Sequence, residues 1–308
     1  MAKFVIAGGR GFLGQALARS LAADGHEVVL LSRQAASADG LIRTVAWDGS
    51  TLGPWVAELD GARALVNFTG RSIVCLYTPE HRREIIGSRV DSVRVLEAAL
   101  AGCGRPPSVW LQASAIGIYG DAGDRVCAES APEGSGFTAD VCRAWEGAFF
   151  GATDGPGPRR VALRIGVVLG RAGGALAPLA GLTRWFLGGA AGSGRQYISW
   201  VSLADLCAIC RWAIDTPSAR GRYNATAPGP VTNAAFMRTL RQALHRPWCP
   251  PAPAWAVRLA ARLLLRVEPE FALAGRRCVP RRLLEEGFRF RDTDLAATLR
   301  GLLDQKKV

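Results

Sequence analysis

Lys3-Phe4-Val5-Ile6-Ala7-Gly8-Gly9-Arg10-Gly11-Phe12-Leu13-Gly14 decides the fold. Lys3 to Ala7 reads as a buried strand, a glycine turn follows directly, and Leu13, Leu17 and Leu21 then recur at helical spacing. Glycines permit a tight turn and a close approach of backbone to a pyrophosphate, whose charge is held by the free N–H groups of a helix N-terminus. Gly8, Gly9, Arg10, Gly11, Phe12, Leu13 and Gly14 are therefore expected to cradle a dinucleotide. A lone glycine motif is a weak signal, but this one has the strand before it and the helix after it.

Working outward, short apolar runs alternate with helical patterns. Strands are expected at 26–32, 42–46, 64–67, 109–113 and 160–167, with helices at about 79–101 and 137–150. This is the pattern of an α/β protein: a Rossmann-type doubly wound parallel sheet whose strand ends deliver residues to one crevice. Beyond Gly170 the chain loosens into glycine-rich connections, with helices near 232–244, 253–267 and 293–303. The expected division is a dinucleotide-binding domain over 1–170 that also takes in about 199–226. Residues 171–198 and 227–308 would form a smaller, mostly helical substrate lid.

The 308 residues suffice for a well-buried core. No apolar run approaches the roughly 18 residues of a membrane span, and the N-terminus starts as a strand, so a cytoplasmic protein with no membrane partner is expected. The net charge of +12 comes from arginine, all but three of the 38 basic residues, spread without an aromatic-interleaved basic motif. No nucleic-acid partner is expected. Arg258, Arg262 and Arg266 fall on one helix face and read as a solvated face. The eight cysteines read as buried thiols; Cys207-Ala208-Ile209-Cys210 sits in a helical run and suits core packing better than metal or redox use. His26, His81 and His245 have no ligand spacing, and no metal is expected. The sequence carries no signal for an oligomeric state.

The end of the second strand reads Ser32-Arg33, where NAD-specific proteins usually place an acid for the ribose 2′-hydroxyl. A carboxylate there would repel a 2′-phosphate and a guanidinium binds it, so NADP is favoured, with NAD the alternative. Arg10 offers a second cation. The small, polar turn Asn67-Phe68-Thr69-Gly70 can pass beneath the cofactor.

These segments, with Gln112-Ala113-Ser114-Ala115-Ile116-Gly117-Ile118-Tyr119-Gly120, Leu163 to Gly170 and Ser199 to Asp205, resemble the extended short-chain dehydrogenases/reductases. The resemblance sharpens to an atypical branch, the epimerase-family proteins (NAD-dependent epimerase/dehydratase-like) with a C-terminal domain of unknown function. It rests on Tyr77-Thr78-Pro79-Glu80 with Ser88-Arg89-Val90, Val141-Cys142-Arg143-Ala144-Trp145-Glu146 and Gly192-Ser193-Gly194-Arg195-Gln196. Asn224 to Pro228, Pro280 to Leu284 and Gly287 to Phe290 extend it over nearly the whole chain. It implies a cofactor crevice lined also by Asn67, Thr69, Gly70, Ala113, Ile165, Gly166 and Val167.

The typical family members rely on Tyr-x-x-x-Lys, and here the lysines are Lys3, Lys306 and Lys307, none of them four residues after a tyrosine. If Glu146 matches the glutamate closing the extended pattern, Thr138 replaces the tyrosine and Cys142 the lysine. Neither substitutes straightforwardly, because a threonine hydroxyl is a weak acid with no ammonium to assist it. Ser202 stands where this family often has histidine. The resemblance makes Ser114 the group that orients a substrate carbonyl. Arg89 lies where extended relatives often carry an asparagine facing the nicotinamide, and is expected to anchor an anionic group. Tyr119, Glu129 and Asp140 are the nearest proton donors. The expected function is an NADP(H)-dependent oxidoreductase or epimerase-like enzyme acting on a small anionic or sugar-like substrate. The alternative is a catalytically silent NADP(H)-binding sensor or scaffold.

Overall fold

The computed structural model describes residues 1–33, 37–151, 157–171 and 173–304. Eight strands form one sheet: β1 (Lys3–Ala7), β2 (Glu27–Ser32), β3 (Ser37–Asp39), β4 (Ile42–Ala46), β5 (Ala64–Asn67), β6 (Val109–Ala115), β8 (Arg159–Ile165) and β12 (Gly221–Ala225). Their spatial order is β12-β8-β6-β5-β1-β2-β4-β3, parallel throughout except at the edge pair β3 and β4. From β1 the chain moves to β2 and β4 on one side, then crosses to β5 on the other. The order reverses between β1 and β5, where such sheets open a crevice at their carboxyl ends.

Alternation along the strands builds two cores. Phe4, Ile6, Val28, Leu30, Val66 and Leu111 face α1 (Phe12–Ala23) and α5 (Leu203–Asp215). Val5, Ala7, Val29, Leu31, Leu65 and Trp110 face α2 (Pro79–Ala101) and α3 (Phe137–Gly151). Side chains of successive strand residues point to opposite faces, and a parallel sheet buries both. Cys210 is fully buried in the first core, which pushes its thiol pKa well up, as the packing reading of Cys207 and Cys210 requires.

The C-terminal part is smaller and mostly helical. Helices α4 (Leu176–Arg184), α6 (Asn233–Ala243) and α10 (Leu295–Leu303) share a third core with Trp200 of β11 (Trp200–Ser202). Strand β11 pairs with β9 (Val167–Leu169), and β10 (Tyr197–Ile198) with β13 (Val231–Thr232). Helices α7 (Ala254–Ala260), α8 (Glu270–Leu273) and α9 (Arg281–Glu285) complete the chain's return. Strand β14 (Arg277–Cys278) comes back to pair with β7 (Val126–Cys127), setting Cys278 opposite Cys127.

Three departures from the sequence reading have local causes. The expected strand 160–167 breaks at Gly166, where a Cβ would lie 2.4 Å from the Ser199 carbonyl oxygen; the chain switches there from β8 into β9. The helix expected over 253–267 is α-helical only to Ala260, continues as one π turn to Leu265, and stops at Arg266 with φ of 52°. Strand β12 escapes pattern reading because Gly221-Arg222-Tyr223-Asn224-Ala225 is short and polar.

Candidate functional site

The strand register sets Ala7 level with Leu31 on one side and with Asn67 on the other. The turns that follow, at Gly8, Ser32 and Phe68, therefore emerge side by side. They open into a cleft of about 850 Å³ whose walls include Gly8, Arg10, Gly11, Ser32, Arg33 and Thr69.

Each glycine of the turn has its own reason. Gly8 has φ of 71°, and a Cβ there would lie 2.9 Å from Thr69 N, so β1 and the β5 turn touch through it. Gly9 and Gly14 let α1 approach β1: a Cβ on Gly14 would come 2.6 Å from the Gly9 backbone. Gly11 differs. It is the N-cap of α1 with an ordinary φ of −72°, and a Cβ there would meet only Gly8 O, at 3.3 Å. No side chain caps α1 and its first turn holds no acid, so this helix end presents N–H groups and a positive dipole to the cleft. The cradle fits a pyrophosphate.

In the same cleft Arg33 is exposed, and Arg10 donates to Ser37 Oγ at 3.4 Å. Trp47, Asp48, Gly49 and Ser50 also line it, and sequence reasoning missed them. The available signal was position alone, since Trp47 N bonds Ser32 O and so follows β4 at the same sheet edge. Asp48 accepts the Thr51 hydroxyl at 2.6 Å and the backbone N–H groups of Ser50 and Thr51. These bonds, the hydroxyl first, hold its carboxyl down at about 2.

Asn67 is fully buried and fixes the β5 turn: its amide donates to Ser92 and Gln112, and its Oδ1 accepts from Thr69 N at 2.9 Å. Phe12 packs against Gly170, Gly173 and Gly174, and Cβ atoms on Gly170 and Gly173 would clash with its ring. Ala113 is buried within β6, two residues before its end, and the Ile165-Gly166-Val167 segment links β8 to β9.

Ser114 is buried and donates its hydroxyl to Glu146 Oε1 at 2.7 Å. Arg164 grips the same carboxylate with two bonds of 2.9 Å, and Arg222 Nε adds one of 2.6 Å. Burial opposes ionisation of Glu146, but the Arg164 fork, with Ser114 and Arg222, outweighs it and holds the carboxyl below its usual range. Tyr119 is fully buried; its hydroxyl donates to Asn224 Oδ1 at 2.8 Å and accepts from Arg164 Nη1 at 3.0 Å. Burial pushes it up to about 12. Ser114 and Tyr119 are thus brought together, but by one internal network centred on Glu146 and Arg164. Glu129 bonds the backbone of Asn224 and Arg282, and Asp140 pairs with Arg143 on the exposed side of α3. Ser202 caps α5 through Asp205 N. Arg89 lies elsewhere, under Gly70 and against Trp145.

A model of the NAD dependent epimerase/dehydratase family matches residues 4–137, and one of a domain of unknown function (DUF1731) matches 252–302. The chain is 34% identical over 304 residues to the chloroplastic epimerase family protein SDR39U1 homolog of Arabidopsis thaliana, covering 97% of this chain and 86% of that one. It is 33% identical to epimerase family protein YfhF of Bacillus subtilis, with 97% of each covered. The chain belongs to this epimerase family. The crystal structure of human epimerase family protein SDR39U1 (isoform 2) with NADPH superposes with a TM-score of 0.87 at 31% identity, covering 99% of this chain and 100% of that one. As in that family, a Rossmann-like sheet is joined to a helical C-terminal region. No helix among the described residues is long and apolar enough to cross a membrane.

Proposed function

We propose that this epimerase-family protein is an NADP(H)-dependent oxidoreductase or epimerase-like enzyme acting on a small anionic or sugar-like substrate. The carrying observation is the cleft, which brings the uncapped helix end at Gly11 together with Arg10, Ser32 and Arg33, while the neighbouring Asp48 carboxylate is engaged by Ser50 and Thr51. The NADPH bound by the human relative supports the same assignment. Gly8, Gly11 and the α1 N-terminus hold the pyrophosphate, and Arg10 and Arg33 meet the 2′-phosphate. Thr69 and Gly70 pass beneath the ring system. The cofactor supplies hydride chemistry; the chain's residues position the substrate and exclude water.

NADPH should bind about tenfold or more tightly than NADH, since a charge-assisted contact contributes about 1.5–3 kcal/mol. Fluorescence titration of both cofactors reads this, and Arg33→Asp should erase the difference. Equal affinities for the two cofactors in the parent would refute the 2′-phosphate assignment. An NADPH-oxidation screen against aldehydes, ketones, oxo acids and sugar nucleotides then tests turnover.

A second reading has its own support. If Glu146 matches the glutamate closing the family pattern, Thr138 and Cys142 replace its tyrosine and lysine, and the hydroxyls of Ser114 and Tyr119 are engaged by Glu146 and Asn224. A protein that binds NADP(H) and changes its lid without turnover would fit that chemistry. Cofactor-dependent protection of the C-terminal region from hydrogen exchange, with no substrate oxidised or reduced, would favour it.

A further inference from the structure

Helix α3 presents Thr138, Cys142 and Trp145 on one face, at i, i+4 and i+7. A guanidinium stands at each end of that row. Arg276, from the C-terminal region, donates Nη2 to Thr138 Oγ1 at 3.1 Å. Arg89, from α2, lies over the Trp145 ring with its Cζ 4.8 Å from the centroid. Between them the Cys142 thiol bonds Ala115 O at 3.5 Å, and burial pushes it up to about 11, so it stays neutral.

Neither arginine has a carboxylate partner among the described residues. Arg89 is 9% exposed; its Nη1 serves the carbonyls of Arg71 and Ile85, while its Nε–H is buried with no partner. Burial drives its pKa down, the signature of a cation without a counter-charge. The Nε of Arg276 is buried and unpartnered as well. So is the hydroxyl of Tyr77, whose ring packs against Phe137 at 4.5 Å, one residue from Thr138. Two acids act on Tyr77: Glu270 of α8, whose negative charge is the strongest influence on its hydroxyl after burial, and Glu268, which accepts its backbone N–H at 2.9 Å. Orphaned buried donors and an uncompensated guanidinium are costly, and an anion relieves both costs at once.

Gly70 connects this cluster to the cleft. It belongs to the turn that lines the cleft, and a Cβ there would lie 3.3 Å from Arg89 Nε. Arg89 and Arg276 each keep a buried Nε–H, and Tyr77 its buried hydroxyl, without a partner. A flat carboxylate presents two oxygens in the fork geometry that guanidinium N–H groups pair with.

We propose that Arg89, Arg276 and Tyr77 form a subsite for the carboxylate of a small carboxylic-acid substrate, replacing in trans the positive charge that Cys142 lacks. The proposal narrows the substrate class within the NADP(H) reading given above and rests on it for the place of the reacting carbon. Because Arg276 lies in the C-terminal region, occupation would also tie that region to α3.

The test is calorimetric titration of the full-length protein with formate, acetate and pyruvate at constant ionic strength, with and without NADPH, and with inorganic phosphate as comparator. Saturable carboxylate binding is expected, weakened about tenfold or more in Arg276→Gln and in Arg89→Lys, each of which removes an Nε donor. NADPH affinity should stay near the parent's in Arg276→Gln, which is half-buried and far easier to accommodate than a change at Arg89. No saturable carboxylate binding, undiminished binding in Arg276→Gln, or tighter binding of phosphate would each overturn the subsite. Failure of NADPH to bind would strike the cofactor reading instead, and arginine-dependent carboxylate binding would stand without it.

Discussion

Glu146→Ala should lose about 3–5 kcal/mol of folding stability, because it leaves Arg164 buried without its counter-ion. Arg164 and Glu146 are 2% and 3% exposed, so water cannot take over the lost bonds, whereas Arg222 is half-exposed and can turn to solvent. Urea unfolding followed by tryptophan fluorescence gives the number. The paired replacement Glu146→Leu with Arg164→Met should cost less than Glu146→Ala alone, since it removes both charges together. A loss below about 1 kcal/mol in Glu146→Ala would mean the network is a passenger.

Gly11→Val should abolish NADPH binding, by about a hundredfold or more, and leave the protein folded. Losing two charge-assisted backbone contacts of about 1.5–3 kcal/mol each gives that scale. The backbone at Gly11 suits any residue, and its Cβ direction is open except toward Gly8 O, so the valine methyls extend into the cleft. Gly14→Val is the contrast: its Cβ would strike the Gly9 backbone at 2.6 Å, and this variant should destabilise the fold itself. Circular dichroism and cofactor titration of both variants separate the two roles. Normal NADPH affinity in a folded Gly11→Val protein removes the cradle assignment.

The two variants mark how far the sequence could be read. The β1–turn–α1 unit was legible because its signal is local, with strand, glycine spacing and helix lying within a dozen residues. The order of strands and helices through 26–167 was legible for the same reason. Strand β12 was not, because Gly221 to Ala225 earns its place by pairing with β8, 60 residues earlier in register at Gly221 and Val161. The Glu146 network was equally hidden: Arg164 and Arg222 lie 18 and 76 residues away, and no spacing rule joins them. Family resemblance named Ser114 as a substrate contact, and only coordinates reveal that its proton is directed to Glu146. Arg89 stands out in the sequence as a charge in an unusual place and Tyr77 only as part of a family motif; Arg276, their neighbour around α3, gave no sequence signal.

Asn224 carries a consequence for how the polypeptide is made. Its side chain takes the Tyr119 hydroxyl and gives its two N–H groups to Cys127 O and Val279 O, while β14 lies alongside β7. Three stretches separated by about a hundred and by fifty-five residues meet at one amide. During synthesis the nucleotide-binding body emerges first, yet the floor beneath Tyr119 stays open until Val279 has left the ribosome. Protease sensitivity of ribosome-stalled chains is therefore expected to fall once the stretch around Val279 is free to pair with β7 and Asn224.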